Sequence, residues 1–471
     1  MSDKIKSDGA EDVFITGNPQ ITFFKAVYRK HTNFAIEIVE QSASSQPGLD
    51  DSTVTYTIAK GNGQLLYRMW LDTYFTGPNY SGNNTSDGSY INWTNNTGHA
   101  YIKECSFIIG GQTIDTHTGK WLDIYNELYD VNKTEHMGLN KHEAKNTYLR
   151  SNKEKLENLQ VMVPLKFWFC NNPGLALPIV ALHKHEVKLK LTLRSPKFLI
   201  NHGSKNGVLS ATPGNSSAAI TTNPIVKLFT EVIHLDTDET RRFIQNRHEY
   251  LIETIKTSNE VFSANVKLTD YSHPVKEIIW VFSDKQKESP VDSISIPLNT
   301  DAVFNKSSKA NESTLSGTQQ KNDYFNYMCG TLGTSATVTS KELTNSSGGG
   351  GDVYGLNKNS FGSVEWFNTC VLKLDNVERF APQKAIYFRT TQHSQYRNYI
   401  PKKHIYAYSF AIDPHNYTPS GTTNFSTIDN ANFVFTNHIN NNSNDIQMNI
   451  FAISYNIFRI MGGMGSLIYS N

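Results

Sequence analysis

The chain is short of charge and has almost no excess of either sign. Asp, Glu, Lys and Arg make up only 18% of it, and 44 basic against 43 acidic residues leave a net charge of +1. Such a balance gives no electrostatic footprint for a protein whose main business is gripping nucleic acid phosphates. Cysteine is scarce: Cys105, Cys170, Cys329 and Cys370 lie far apart with no CxxC pair, which excludes a disulfide scaffold and leaves four reduced core thiols as the expectation. No stretch reaches eighteen consecutive apolar residues, so no membrane-spanning helix is expected. The opening Met1-Ser2-Asp3-Lys4-Ile5-Lys6 lacks the apolar core of a secretory signal, so synthesis and folding in a cytoplasm are expected. The apolar stretch from Ile450 to Tyr469 is broken by Ser454, Asn456 and Arg459 and reads as a buried terminal strand.

Chemistry is missing too. There is no G-x-S-x-G, no GxxxxGK[ST] and no HExxH, and Gly348–Gly351 is followed by Asp352 rather than Lys-Ser, so it reads as a loop and not a phosphate cradle. His183-x-His185-Glu186 offers metal-ligand residue types, yet it reads more simply as the polar entry to the strand at Val187. The carboxylate pairs Asp50/Asp51 and Asp236/Asp238 sit in loop and helix-cap contexts, where solvation or capping explains them without acid–base catalysis. No catalytic, metal or cofactor-binding residue is therefore assigned. The basic residues Lys4, Lys6, Arg29 and Lys30 read as a solvated N-terminal arm.

Aromatics and turn formers are abundant. With 25 Phe and 23 Tyr the chain can fill a large core, while 47 Asn and 30 Gly call for many loops. Strand signals dominate. From Glu186 to Arg194 apolar and polar residues alternate without a slip, which puts Val187, Leu189, Leu191 and Leu193 on one face. Runs at Val54–Ala59, Ile225–Leu235, Phe262–Leu268, Ile278–Phe282, Val371–Leu374, Ile405–Ile412 and Met448–Ile460 behave similarly. Helices are expected only over Lys120–Val131 and, behind a capping box at Asp236-x-x-Glu239, through Arg247. The fold class is all-β, a sandwich or barrel.

The pattern occurs twice. Trp70, Cys105 and Trp121 are echoed in order by Trp280, Cys370 and Tyr387, and Phe169-x3-Pro173-x4-Pro178 by Phe410-x3-Pro414-x4-Pro419. His31-Thr32-Asn33-Phe34-Ala35-Ile36-Glu37 opens the first half as His248-Glu249-Tyr250-Leu251-Ile252-Glu253 opens the second. Two homologous β modules follow, with a seam at Leu235–Arg247. Long polar loops run over Gly77–Gly98, Asn201–Asn223 and Asn305–Gly362. In the last, Tyr324, Phe325 and Tyr327 are expected to pin the loop against its own module or an adjacent subunit. Sequons are plentiful, and Asn83, Asn92, Asn305, Asn311 and Asn345 are the candidate glycosylation sites.

The segment from Gly17-Asn18-Pro19-Gln20-Ile21-Thr22-Phe23-Phe24-Lys25 to His31-Thr32-Asn33-Phe34 resembles the opening of the major capsid proteins of nucleocytoplasmic large DNA viruses. Asn172-Pro173-Gly174-Leu175-Ala176-Leu177-Pro178, Tyr406-Ala407-Tyr408-Ser409-Phe410 and the tail from Arg459-Ile460-Met461 to Ser470-Asn471 are similar to that family as well. The resemblance implies a double jelly roll of two eight-stranded antiparallel sandwiches: an N-terminal arm at 1–21 on the capsid's inner side, a first jelly roll at 22–236, and a second at 237–471 carrying the insertion 305–362. It implies a late structural protein of the virion with no enzymatic activity and no cofactor. Homotrimers would form pseudo-hexagonal capsomers of an icosahedral shell, assembled at viral factories. They would contact neighbouring capsomers and minor capsid and penton proteins and lie near an inner viral membrane, without sequence-specific nucleic acid binding. The alternative is a carbohydrate-binding β-sandwich attachment protein, with Tyr80, Tyr90, Trp93, Tyr354 and Trp366 as sugar-stacking aromatics. A glycoside hydrolase needs a spaced carboxylate pair that does not stand out.

Overall fold

Sixteen strands account for two sandwiches, and the pairing of the first eight is repeated by the second eight. The computed structural model describes residues 14, 16–26, 30–77, 90–94, 96–129, 158–203, 220–268, 271–284, 297–298, 317–318, 324–325, 327, 365–397, 399–401, 403–436 and 446–469. In the first half the strands are β1 (Phe34–Gln41), β2 (Ser52–Thr57), β3 (Leu65–Phe75), β4 (Ile102–Ile109), β5 (Gln112–Thr118), β6 (Leu159–Pro164), β7 (Val187–Leu193) and β8 (Ile225–Leu235). They form one sheet in the order β1-β8-β3-β6 and a second in the order β2-β7-β4-β5. In the second half β9 (His248–Val261), β10 (Asn265–Lys267), β11 (Pro274–Asp284), β12 (Thr369–Leu374), β13 (Val377–Glu378), β14 (Tyr406–Ser409), β15 (Ala431–Thr436) and β16 (Ile446–Met461) pair as β9-β16-β11-β14 and β10-β15-β12-β13. Every neighbour relation is the first half's shifted by eight strands. This interleaving of early and late strands within each sheet is the jelly-roll topology, present twice.

The alternation in β7 has the consequence its pattern predicts: Val187, Leu189, Leu191 and Leu193 are buried while Lys190 is exposed. Cys105 on β4 and Cys370 on β12 occupy equivalent strands. The tryptophan echo is different. Trp70 on β3 and Trp280 on β11 also lie on equivalent strands, but they point to opposite faces. Trp280 is fully buried in the second core, whereas Trp70 lies on the outer face of its sheet, stacked on Phe229 at 5.8 Å. Spacing locates a strand, but a single-residue offset reverses the face.

Among the short helices that interrupt the β pattern, two matter most for how the halves connect. Helix α1 (Gly119–Tyr129) joins β5 to β6 and buries Trp121, Leu122, Ile124 and Leu128. Helix α2 (Thr237–Gln245) links the two jelly rolls. Asp236 caps α2 by accepting from Thr237 N at 2.8 Å, while the Glu239 carboxylate does not return the bond, so the reciprocal capping box is not formed.

Gly119 fixes where α1 begins. A Cβ built there would lie 2.2 Å from the carbonyl oxygen of His99 and 2.4 Å from that of Ile102, both backbone atoms that cannot swing aside. Gly61 faces open space. Gly119→Ala should therefore lower stability by about 2–4 kcal/mol and Gly61→Ala by less than about 0.5 kcal/mol, read as shifts in the urea midpoint. Equal midpoints for the two variants would contradict this packing.

Candidate assembly interface

The central strands of the sheet β9-β16-β11-β14 are buried on both faces. Along β11, Ile278, Trp280 and Phe282 enter the second core, while the intervening Ile279 and Val281 join the first jelly roll's core cluster. β16 divides in the same way, with Met448, Ile450 and Ala452 on one side and Phe451 and Ile453 on the other. This departs from the alternating reading of these runs: burial on both faces makes β11 and β16 nearly continuous apolar runs. What packs on the outer face comes from the first jelly roll: Trp121 of α1 meets Phe451 at 5.5 Å, and Trp168 meets Phe458 at 6.0 Å. Each such side chain contributes about 1.5–3 kcal/mol on burial, against about 0–1 kcal/mol for an exposed ion pair, so packing holds the halves together.

Polar groups set the register of this junction. β9 is an edge strand, and its Ile255 N donates to Asp115 Oδ1 of β5 at 3.0 Å, so the other jelly roll satisfies an edge amide. Asp115 also pairs with His117 at 2.9 Å. Glu277, fully buried on β11, pairs with Arg397 of α3 (Gln392–Arg397) and accepts from Tyr129 Oη of α1 at 2.7 Å. Tyr399 Oη donates to the Glu127 carbonyl at 2.6 Å, and Lys120 Nζ reaches Ser283 Oγ at 3.0 Å. Burial, then the Glu277 carboxylate, pushes the Tyr129 phenol well above its usual range. Burial opposes the Arg397 cation, but Glu277 and Tyr129 outweigh it and hold the guanidinium above its ordinary value. Burial also raises the Glu253 carboxyl against the pull of Lys276.

The aromatic centre of the long insertion departs from expectation. Tyr324, Phe325 and Tyr327 pack into the core cluster of the first jelly roll, while Lys403 and Trp366 of their own module also contact them. Tyr324 Oη donates to the Phe198 carbonyl at 3.0 Å, Tyr327 Oη to Asp123 Oδ2 at 2.9 Å, and Trp366 Nε1 to the Tyr327 carbonyl at 2.8 Å. The segment straps one half to the other, because the first jelly roll offers buried acceptors that a polar loop alone lacks.

The singled-out residues have structural roles. His185 Nδ1 lies 3.1 Å from the Gly465 carbonyl oxygen, and Lys184 N donates to Gly463 O at 3.0 Å. The His183-x-His185 pair thus clasps the hairpin formed by β16 and β17 (Met464–Leu467). Among the described residues no group of three His, Cys, Asp or Glu gathers to hold a metal. Asp51 pairs with Lys103 and accepts from Ser195 N at 2.8 Å, while Asp238 lies 3.7 Å from Arg241. Trp93 and Trp366 are each 1% exposed, so neither is available to stack on a sugar. Tyr80 and Tyr354 lie outside the described residues, as does the Tyr90 side chain. Asn83, Asn305, Asn311 and Asn345 lie outside them too, and Asn92 is described only as backbone. Cys105, Cys170 and Cys370 are free and buried, with burial raising each thiol, Cys170 to about 12; Cys329 lies outside the described residues.

The equivalent sheet of the first jelly roll, β1-β8-β3-β6, has an outer face covered at one end, where Leu65, Tyr67 and Ile233 pack with Ala176 and Phe243, and exposed along β1. Phe34, Ile36 and Ile38 project from edge strand β1, 52–58% exposed, and Ile225, Tyr74 and Met162 toward the other end of the sheet are exposed as well. No single motif marked this surface. Its sequence signal was the alternation Phe34, Ile36, Ile38 in an edge strand whose intervening Ala35 and Glu37 are exposed as well.

Residues 22–236 match the family described as the major capsid protein N-terminus, and residues 239–466 match the large eukaryotic DNA virus major capsid protein family. The chain is 33% identical over 523 aligned residues to the major capsid protein of Phaeocystis pouchetii virus, covering 98% of each. It is 30% identical to the major capsid protein of Paramecium bursaria Chlorella virus 1, again covering 98% of each. A chain of the quasi-atomic model of the PBCV-1 virus capsid superimposes with a TM-score of 0.69 at 26% identity, covering 96% of this chain and 100% of that one. The Faustovirus major capsid protein, at 14% identity, shares the fold with a TM-score of 0.66, covering 96% of this chain and 94% of that one.

One histidine makes the junction pH-dependent. His393 is fully buried, with Nε2 3.0 Å from the Ile405 carbonyl oxygen and Nδ1 3.2 Å from Arg397 Nη1. Burial, then the Arg397 charge, holds its pKa well below the ordinary 6.5. The unfolded chain therefore takes up this proton first. The stability lost is absent above about pH 6.5 and grows as pH falls below it, by up to about 1.4 kcal/mol per unit. The urea midpoint of His393→Gln should fall less steeply between pH 7 and 5 than that of the parent. Parallel slopes would contradict the assignment.

Proposed function

This chain belongs to the large eukaryotic DNA virus major capsid protein family, and from that premise we propose that it builds the virion shell as closed rings of three chains. Its role is structural, in the capsid. The observation that carries the ring is the mismatch between the two equivalent sheets. In the second jelly roll the outer face of β9-β16-β11-β14 is covered by the first jelly roll; in the first, the matching face of β1-β8-β3-β6 carries exposed Phe34, Ile36 and Ile38 beside a small covered patch where Leu65, Tyr67 and Ile233 pack with Ala176 and Phe243. A face that receives a neighbouring jelly roll in one half and stands exposed along β1 in the other fits a heterologous contact between copies. The second jelly roll presents the complement, with Ile400 and Ile412 exposed around β14. Repeating the internal contact between chains alternates first and second jelly rolls, and three chains then close a six-module, pseudo-hexagonal ring.

The same reading assigns residues 22–236 and 237–471 as the two modules, with 1–21 as an arm on the shell's inner side. Exposed Ile21, Phe23 and Phe24 support a role for this arm's end in contacts beyond the chain, to neighbouring capsomers and to minor capsid or penton proteins. The insertion 305–362 and its sequons then belong to the outer surface.

Placing carboxylates on the open face tests the ring. Ile36→Asp with Ile38→Asp alters side chains that are already more than half exposed, so the chain's own fold should change by less than about 1 kcal/mol. Sedimentation velocity should show the parent at three times the 53.0 kDa chain mass and the double variant as monomer. Persisting trimers would show that the ring closes elsewhere.

A further inference from the structure

A cleft of about 260 Å³ lies between the two jelly rolls beside the Tyr324 strap. Its walls carry Lys103, Lys120 and Arg194, and no Asp or Glu among the described residues that line it. The fold gathers these cations deliberately close. β4 and β7 pair with Ile102 opposite Leu193, so Lys103 and Arg194 follow at the same end of adjacent strands. Gly119 lets the first turn of α1 press on the His99 and Ile102 carbonyls, which brings Lys120 to the same wall. The opposite wall, from the second jelly roll, supplies the uncharged Thr257, Asn259 and Gln447, and the Thr257 hydroxyl is buried without a hydrogen-bond partner.

Arg194 is the centre of the site. Its guanidinium stacks 4.3 Å from the centre of the Tyr324 ring and its Nε donates to the Ala100 carbonyl at 3.0 Å, so the fork is held in place. Among the described residues no carboxylate pairs with it directly, although its charge reaches Asp51 and, against burial and after Lys103 and Ser195 N, helps lower that carboxyl. Lys103 does pair with Asp51, which stands outside the cleft wall. Lys120 contacts the neutral Ser283 Oγ and Asn449 Oδ1 at 3.0 and 3.1 Å. A positioned guanidinium whose Nη groups make no hydrogen bond among the described residues, in a cleft whose described lining holds no Asp or Glu, favours anionic oxygens over any neutral ligand.

We propose that this cleft binds a small polyvalent oxyanion, bearing phosphate or carboxylate groups, with Arg194 and Lys103 on its charged oxygens and Thr257, Asn259 and Gln447 on its far side. Bound there, the anion bridges both jelly rolls and stabilises their junction, since only the folded, docked state presents the site.

Thermal melts and isothermal calorimetry of the full chain decide the matter, with sodium tripolyphosphate, citrate or chloride titrated at constant ionic strength. A saturable rise in Tm is expected with tripolyphosphate, citrate or both, and none with chloride. Response to tripolyphosphate alone identifies a phosphate ligand, and response to citrate alone a carboxylate one. Arg194→Gln should weaken binding at least about tenfold. Lys103→Gln, at the rim, should weaken it too and serves if the arginine variant fails to fold. No saturable response to either anion in the parent, or unchanged affinity in the folded variants, would overturn the proposal.

Discussion

One sheet whose central strands have no solvent face organises the whole chain. In β9-β16-β11-β14 successive residues of the same strand belong to different cores, so Trp280 packs within the second jelly roll and Val281 within the first. Neither half completes its hydrophobic burial without the other. The linker α2, the Asp115 bond to an edge amide of β9 and the Tyr324–Tyr327 strap all act at this boundary, and each depends on the shared sheet for its position.

The buried polar groups there serve geometry more than adhesion. Glu277 is fully buried and shared between Arg397 and Tyr129, an arrangement in which desolvation offsets much of the Coulombic gain. Breaking one partner would nevertheless leave a buried charge uncompensated, so the trio penalises any slip of α1 against β11. In the other half the corresponding sheet face has no such trio and stays exposed along β1. A single architectural unit thus appears twice with opposite treatment of the same face, which is what a subunit needs if it is to be internally rigid and externally adhesive.

Much of this fold was written in local pattern. The uninterrupted alternation at Val187–Leu193 identified a one-sided strand, whereas the apolar runs of β11 and β16, read as alternating, are buried on both sides. The ordered cysteine and proline echoes revealed the duplication, since strands keep their order while loops between them vary. The tryptophan echo misled at the level of faces, because a match in spacing does not preserve the period-two phase of a strand. The junction itself was not legible. Glu277 and Arg397 stand 120 residues apart, and only the folded pairing of strands brings them together. The strap was misassigned for a similar reason: aromatics in a polar loop announce a docking contact, but the acceptors they meet, Phe198 O and Asp123, belong to the distant first half.

The central claim is that the two jelly rolls fold as one cooperative unit through the shared sheet. Pulse-labelled hydrogen exchange across a urea series, read by mass spectrometry, follows β3 and β8 of the first jelly roll alongside β12 and β15 of the second. These strands lie in the sheets remote from the junction, so they report each half separately. Coincident loss of protection at one midpoint is the expected result. Two separate midpoints, with one jelly roll remaining protected after the other has opened, would contradict the account.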